Sequence, residues 1–162
     1  KVFCDDFSEI NKSKLNRANT IVFSPGPGSP RDYTLSSKIY NQFKGKKKII
    51  GICLGFQQIL FSEGAKIIEQ KKIYHGFQSE VIVNNSSKLF NKGKKFKVGR
   101  YHSLKVKEPF NVKNFKITMR CAISKVAMSF ENNIDKVYGF QFHPESFLTI
   151  DGSLLIKKVL SA

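Results

Sequence analysis

A chain of 162 residues has the length of one domain that buries roughly two thirds of its unfolded surface, and 41% hydrophobic residues are enough to fill its core. No run of about 18 apolar residues and no signal-peptide pattern occurs, which excludes a membrane-spanning helix and leads us to expect a cytoplasmic protein. A net charge of +16 raises nucleic acid as a partner, yet only four of the 28 basic residues are arginine, and the lysine runs lack interleaved aromatics. We therefore expect solvated basic faces, or a docking patch for an acidic partner, and neither nucleic acid nor membrane as a partner.

Residues 1–4 and 20–24 read as strands, the second running into Ser24-Pro25-Gly26-Pro27-Gly28. The prolines lack the N–H donors a strand needs and the glycines let a ligand approach the backbone, so this segment is either a simple turn or a binding loop. Residues 32–43 read as a helix. Residues 46–50 form a buried strand after a basic lead-in, and Gly51-Ile52-Cys53-Leu54-Gly55 leads into a helix over 57–61 that Gly64 stops. A cysteine with glycine two before and two after, between strand and helix, has the spacing of a nucleophile elbow with sulfur replacing oxygen. A Cβ at Gly51 or Gly55 would collide with neighbouring backbone. The elbow would hold Cys53 at the carboxyl edge of the sheet, where helix N–H groups favour a thiolate. On spacing alone, Cys53 reads equally as an inert buried thiol. The three cysteines, Cys4, Cys53 and Cys121, are odd in number and lack metal-ligand spacing, which suits a reduced compartment and no metal site.

Strand-like stretches follow at 65–69 and 79–83, separated by Tyr74-His75-Gly76, where His75 reads as structural. Residues 84–97 form a polar, lysine-rich loop with too few apolar residues for a core element. Residues 115–124, 126–130 and 136–142 read as an antiparallel meander turning at Asn132-Asn133, and Asp151 as the cap of a closing helix that runs to residue 160. His143-Pro144-Glu145 follows the last strand, which the proline stops. Beside a cysteine elbow it supplies a base and a group to orient that base. Helices alternating with strands early and hairpins late imply an α/β fold with a mixed sheet and helices on both faces.

Four separated segments, Ser24-Pro25-Gly26-Pro27-Gly28-Ser29-Pro30, residues 51–57, Arg100-Tyr101-His102-Ser103-Leu104 and Gln141-Phe142-His143-Pro144-Glu145-Ser146, resemble in the same order the signatures of class I, triad-type glutamine amidotransferases. The resemblance is nearest to the glutaminase subunits of anthranilate synthase and aminodeoxychorismate synthase. It implies a mostly parallel, open, flavodoxin-like sheet in a single domain over residues 1–162. The family's first strand and helix would be missing, leaving strand edges exposed where that strand belongs. It also implies Cys53 as nucleophile, His143 as base and Glu145 as the group that orients it. The N–H groups of Gly26 and Leu54 would form the oxyanion hole, and Pro27, Gly28, Gln57, Ser103 and Leu104 would bind glutamine, with His102 structural. The partners implied are L-glutamine and a chorismate-binding large subunit that carries the metal requirement, with no cofactor in this chain. Phe56 stands where the family usually has histidine, so a polar contact beside the site is expected to be lost and activity tuned. The competing readings are a docking subunit with a decayed site and a glutaminase of another amidotransferase branch.

Overall fold

The computed structural model describes residues 12–162. Its elements are α1 (Lys12–Arg17), β1 (Thr20–Phe23), a 3-10 turn (Pro30–Asp32), α2 (Thr34–Phe43), β2 (Lys48–Ile52), α3 (Leu54–Ser62), β3 (Ile67–Glu69) and β4 (Phe77–Val83). After these come β5 (Lys95–Arg100), β6 (Leu104–Val106), β7 (Lys116–Cys121), β8 (Ala127–Asn132), β9 (Val137–Phe140) and α4 (Gly152–Leu160). The strand expected at residues 1–4 lies outside the described residues, as does Cys4.

Among the described residues, seven strands form one sheet in the order β1-β2-β9-β8-β7-β4-β5, and β3 pairs with β6 in a separate ribbon. The sheet is mixed, as expected, but it is not mostly parallel. The β1–β2 and β2–β9 pairings are parallel, while β9–β8, β8–β7, β7–β4 and β4–β5 are antiparallel. The cause is economy of connection: tight turns join β7, β8 and β9, and a tight turn can only join antiparallel neighbours.

Alternation along β2 decides what each face buries. Ile49 belongs to a cluster with Tyr40 of α2 and with Phe56, Ile59 and Leu60 of α3, whereas Ile50 and Ile52 belong to a second cluster with Leu155 and Val159 of α4. Helices thus cover both faces. The lysine-rich segment 84–97 departs from expectation, because Phe90 and Phe96 are buried and meet edge to face at 5.6 Å. Their apolar count is low, but Phe96 and Val98 alternate with exposed lysines, so two or three side chains suffice to seat β5. Asp151 does sit at the start of α4, yet its side chain makes no capping hydrogen bond.

Register brings three loops to one place. Phe23 pairs with Gly51 and Ile52 with Phe140 in parallel ladders, so β1, β2 and β9 end together at their carboxyl edge. The glycine and proline loop, Cys53 and the segment 141–145 all leave the sheet there, which is where open α/β sheets hold their ligands.

Candidate active site

Cys53 stands between β2 and α3 with φ 53 and ψ −101, a left-handed conformation that costs a non-glycine residue on the order of 1–3 kcal/mol. The surrounding backbone enforces it. A Cβ on Gly51 would lie 2.5 Å from the Gly55 carbonyl oxygen, and one on Gly55 would lie 2.0 Å from the carbonyl oxygen of Phe23. Only glycine permits strand, elbow and helix to pack this closely. The Cys53 N–H donates to the Phe140 carbonyl (2.8 Å), which ties the elbow to the end of β9, and the Cys53 carbonyl accepts from the Gln57 N–H (3.1 Å).

His143 is fixed from both sides of its backbone. Its N–H donates to Gly99 O (3.0 Å) and its carbonyl accepts from the Thr149 hydroxyl (2.6 Å). The Glu145 Oε1 accepts from Nδ1 at 2.7 Å, which leaves Nε2 as the reactive nitrogen. Nε2 is buried without a hydrogen-bond partner of ordinary geometry. Burial lowers the imidazole pKa, but the Cys53 thiol and the Glu145 carboxylate outweigh it and raise it to about 9. Burial likewise opposes ionisation of Glu145, yet its bond to His143 holds that carboxyl below the usual range. The ring of Tyr101 packs edge-on against His143 at 4.9 Å, and its hydroxyl meets Ser146 Oγ at 3.0 Å.

The remaining expected residues fall around this pair. Gly26 adjoins the elbow: a Cβ there would lie 2.9 Å from Leu54 Cδ2, so the two residues expected to supply oxyanion N–H groups are neighbours. Pro27 and Gly28 lie on the exposed part of the loop, where the Pro27 carbonyl accepts from the Tyr33 hydroxyl (2.8 Å) and Gly28 packs beside the Asp32 carboxylate. Gln57 is buried and its amide nitrogen donates to Leu104 O (3.3 Å) and Gln141 Oε1 (3.1 Å). Ser103 lends its carbonyl to the Gln70 N–H (2.9 Å). A nucleophile, a base with an orienting carboxylate and clustered backbone donors together suit acyl transfer from an amide. Among the described residues no group of three or more His, Cys, Asp or Glu side chains is placed to hold a metal ion.

The Glutamine amidotransferase class-I family matches residues 2–162. The chain belongs to the class I glutamine amidotransferases. This amidotransferase is 38% identical over 158 residues to anthranilate synthase component 2 of Lactococcus lactis, a match covering 97% of this chain and 79% of that one. To the protein of the same name from Buchnera aphidicola it is 34% identical, over 94% of this chain and 76% of the relative. The bifunctional protein TrpGD of Thermotoga maritima is 34% identical over 161 residues, 99% of this chain but 27% of that longer protein. The crystal structure of a glutamine amidotransferase from Thermotoga maritima matches with a TM-score of 0.69 at 19% identity, over 85% of this chain and 61% of that one. At that identity the likeness speaks for the fold.

Two points of the amidotransferase site differ from the reading of its sequence. Phe56 is fully buried and packs in a tilted arrangement on Phe130 with ring centroids 5.1 Å apart, so it serves the core beneath α3. The other point is what the motifs contained without showing it. Gln141 and Tyr101 both stand inside motif segments, but only the fold aims Gln141 at Cys53 Sγ (3.9 Å) and sets Tyr101 against the imidazole.

Proposed function

We propose that this chain is the glutaminase subunit of an anthranilate synthase, hydrolysing L-glutamine through a cysteine thioester and passing ammonia to a chorismate-binding large subunit. The observation that carries the reading is the meeting of Cys53, on its strained elbow, with an imidazole whose other nitrogen is bound by Glu145. In this mechanism the Cys53 thiolate attacks the side-chain amide carbon, and the N–H groups of Gly26 and Leu54 receive the oxyanion. His143 gives its proton to the departing ammonia. The same imidazole then deprotonates a water that cleaves the thioester, releasing glutamate and restoring the thiol. Glu145 keeps Nδ1 protonated throughout, while Gln57, Ser103, Leu104, Pro27 and Gly28 hold the substrate.

The names of the relatives at 34% and 38% identity support the anthranilate branch over the aminodeoxychorismate branch. We assign the metal requirement to the partner, no cofactor to this chain, and the cytoplasm as its compartment. No helix among the described residues is long and apolar enough to cross a membrane.

The test is reconstitution with the chorismate-using large subunit. Glutamine and chorismate should give anthranilate, and Cys53→Ala should abolish that synthesis while synthesis from free ammonia continues. Aminodeoxychorismate as the product would move the chain to the other branch. A glutamine-analogue electrophile should label Cys53 alone, and an adduct on the buried Cys121 would overturn the assignment of the nucleophile.

A further inference from the structure

The polar groups behind the thiol form one continuous chain. It starts at Arg100, which is wholly buried and, among the described residues, has no carboxylate against it. Its Nε lies 3.1 Å from His102 Nε2, its terminal nitrogens lie 3.5 Å from Gln70 Oε1 and Cys121 Sγ, and its guanidinium stacks 3.5 Å over the Tyr74 ring. His102 Nδ1 is 2.8 Å from Leu104 O, to which Gln57 Nε2 also points at 3.3 Å. The same Gln57 nitrogen is 3.1 Å from Gln141 Oε1, and Gln141 Nε2 is 3.9 Å from Cys53 Sγ.

Chemistry fixes the direction of every link. A guanidinium only donates, so His102 Nε2 accepts and Nδ1 bears the hydrogen given to Leu104. Gln70 braces that ring by donating to the His102 carbonyl at 2.6 Å, and its 3.2 Å approach to Nδ1 is a contact between two donors. A carbonyl oxygen only accepts, so the Gln57 atom beside Leu104 is its NH2. That NH2 also faces Gln141, which must present its oxygen there. The one orientation left to Gln141 turns its own NH2 toward the sulfur. Arg100, His102, Gln57 and Gln141 are each no more than 3% exposed, so water does not compete for these bonds.

We infer that Gln141 is a positioning residue for the thiol, the last link of a buried relay that turns an N–H toward Cys53 Sγ. A donor in that place stabilises developing negative charge on sulfur and holds the sulfur against the end of β9, whose Phe140 carbonyl already fixes the Cys53 backbone. The relay is also a link between sites: its middle member, Leu104 O, belongs to the segment that binds glutamine in the reading above, on which the kinetic part of this inference rests.

Two replacements and one measurement on the parent protein test it. Gln141→Met keeps length and volume but removes both polar ends, while Gln141→Glu keeps an oxygen for Gln57 and, once ionised, replaces the donor to sulfur with an acceptor. In both, the pH of half-maximal alkylation of Cys53 by iodoacetamide should rise by about one unit. The glutaminase kcat should fall about ten-fold with KM within about two-fold of the parent. In the parent, alkylating Cys53 should shift the Gln141 side-chain amide resonances. An unchanged alkylation profile in a folded variant, a change confined to KM, or unmoved amide resonances would each overturn the inference. Alkylation and resonance shifts need no glutamine turnover, so they decide this point even if the glutaminase reading itself fails.

Discussion

Two histidines of this chain, the buried His102 and the half-buried His143, respond to pH in opposite senses. His143 holds its proton more tightly folded than unfolded, rising from 6.5 to about 9, so its contribution to stability is complete below about 6.5 and is lost as pH rises through 9. His102 is pushed down to about 4 by burial and by the Arg100 cation, so its contribution is present above about 6.5 and is lost as pH falls toward 4. Denaturant-derived stability should therefore peak near pH 6.5 and decline on both sides. Replacing Cys53 by alanine removes one of the two partners that raise the His143 pKa, and imidazole NMR should find it lowered. An unshifted midpoint would mean that thiol and imidazole are not in contact. Phe56 poses a different question at the same scale. Because its ring fills the core against Phe130, Phe56→His should cost about 2–3 kcal/mol of stability by placing an unpartnered imidazole in an apolar site. Thermal melting reads that loss. The kcat of the remaining folded protein should change little, since no group of the site rests on this ring.

At the scale of elements, the elbow was legible because a local rule produces it: two glycines at fixed spacing exist only where strand and helix must nearly touch. The helix after it and the meander at the end were legible from periodicity. What escaped reading is what arises between segments. β6 is three residues long, and nothing in Leu104–Val106 marks it as a strand until β3 lies beside it. The share of parallel pairing was overestimated for the same reason, since pairing direction depends on which strands become neighbours. The start of α4 shows how tightly one element can be tied to the site. A Cβ on Gly152 would lie 1.9 Å from the carbonyl oxygen of Pro144, between His143 and Glu145. Gly152→Ala must push α4 or that loop aside. We expect glutaminase activity to fall more than ten-fold, with His143 chemical shifts displaced, and with a smaller loss in alkylation of Cys53, whose elbow is built elsewhere.

At the scale of the molecule, one cluster of the basic residues behind the +16 charge lies away from the chemistry. Lys46, Lys47, Lys48 and Lys136 gather around a cleft at the start of β2, the opposite end of the strand from Cys53. Two of these ammonium groups are already engaged with carbonyls, Lys47 with Asn16 O and Ala18 O, and Lys48 with Leu160 O. A polyanion such as heparin should bind weakly at low salt, be released by moderate salt, and leave glutaminase turnover unaffected while bound. Inhibition by heparin would place the basic surface at the site. The sequence shows the run Lys46-Lys47-Lys48, but Lys136 joins it only once β9 has taken its place beside β2.

The pairing of β2 with β9 also has a consequence in time. One neighbour of the elbow strand, β1, precedes it in the chain, but the other arrives only after some 85 further residues have been made. Contacts of such separation are slow to form and close late in folding. During synthesis, Cys53 emerges long before His143, the base proposed for it, so a nascent or truncated chain would carry the thiol without that histidine. Under the proposed mechanism, reactivity is withheld until almost the whole domain has been assembled, and a chain stopped before residue 143 would be inert and not an unregulated source of ammonia.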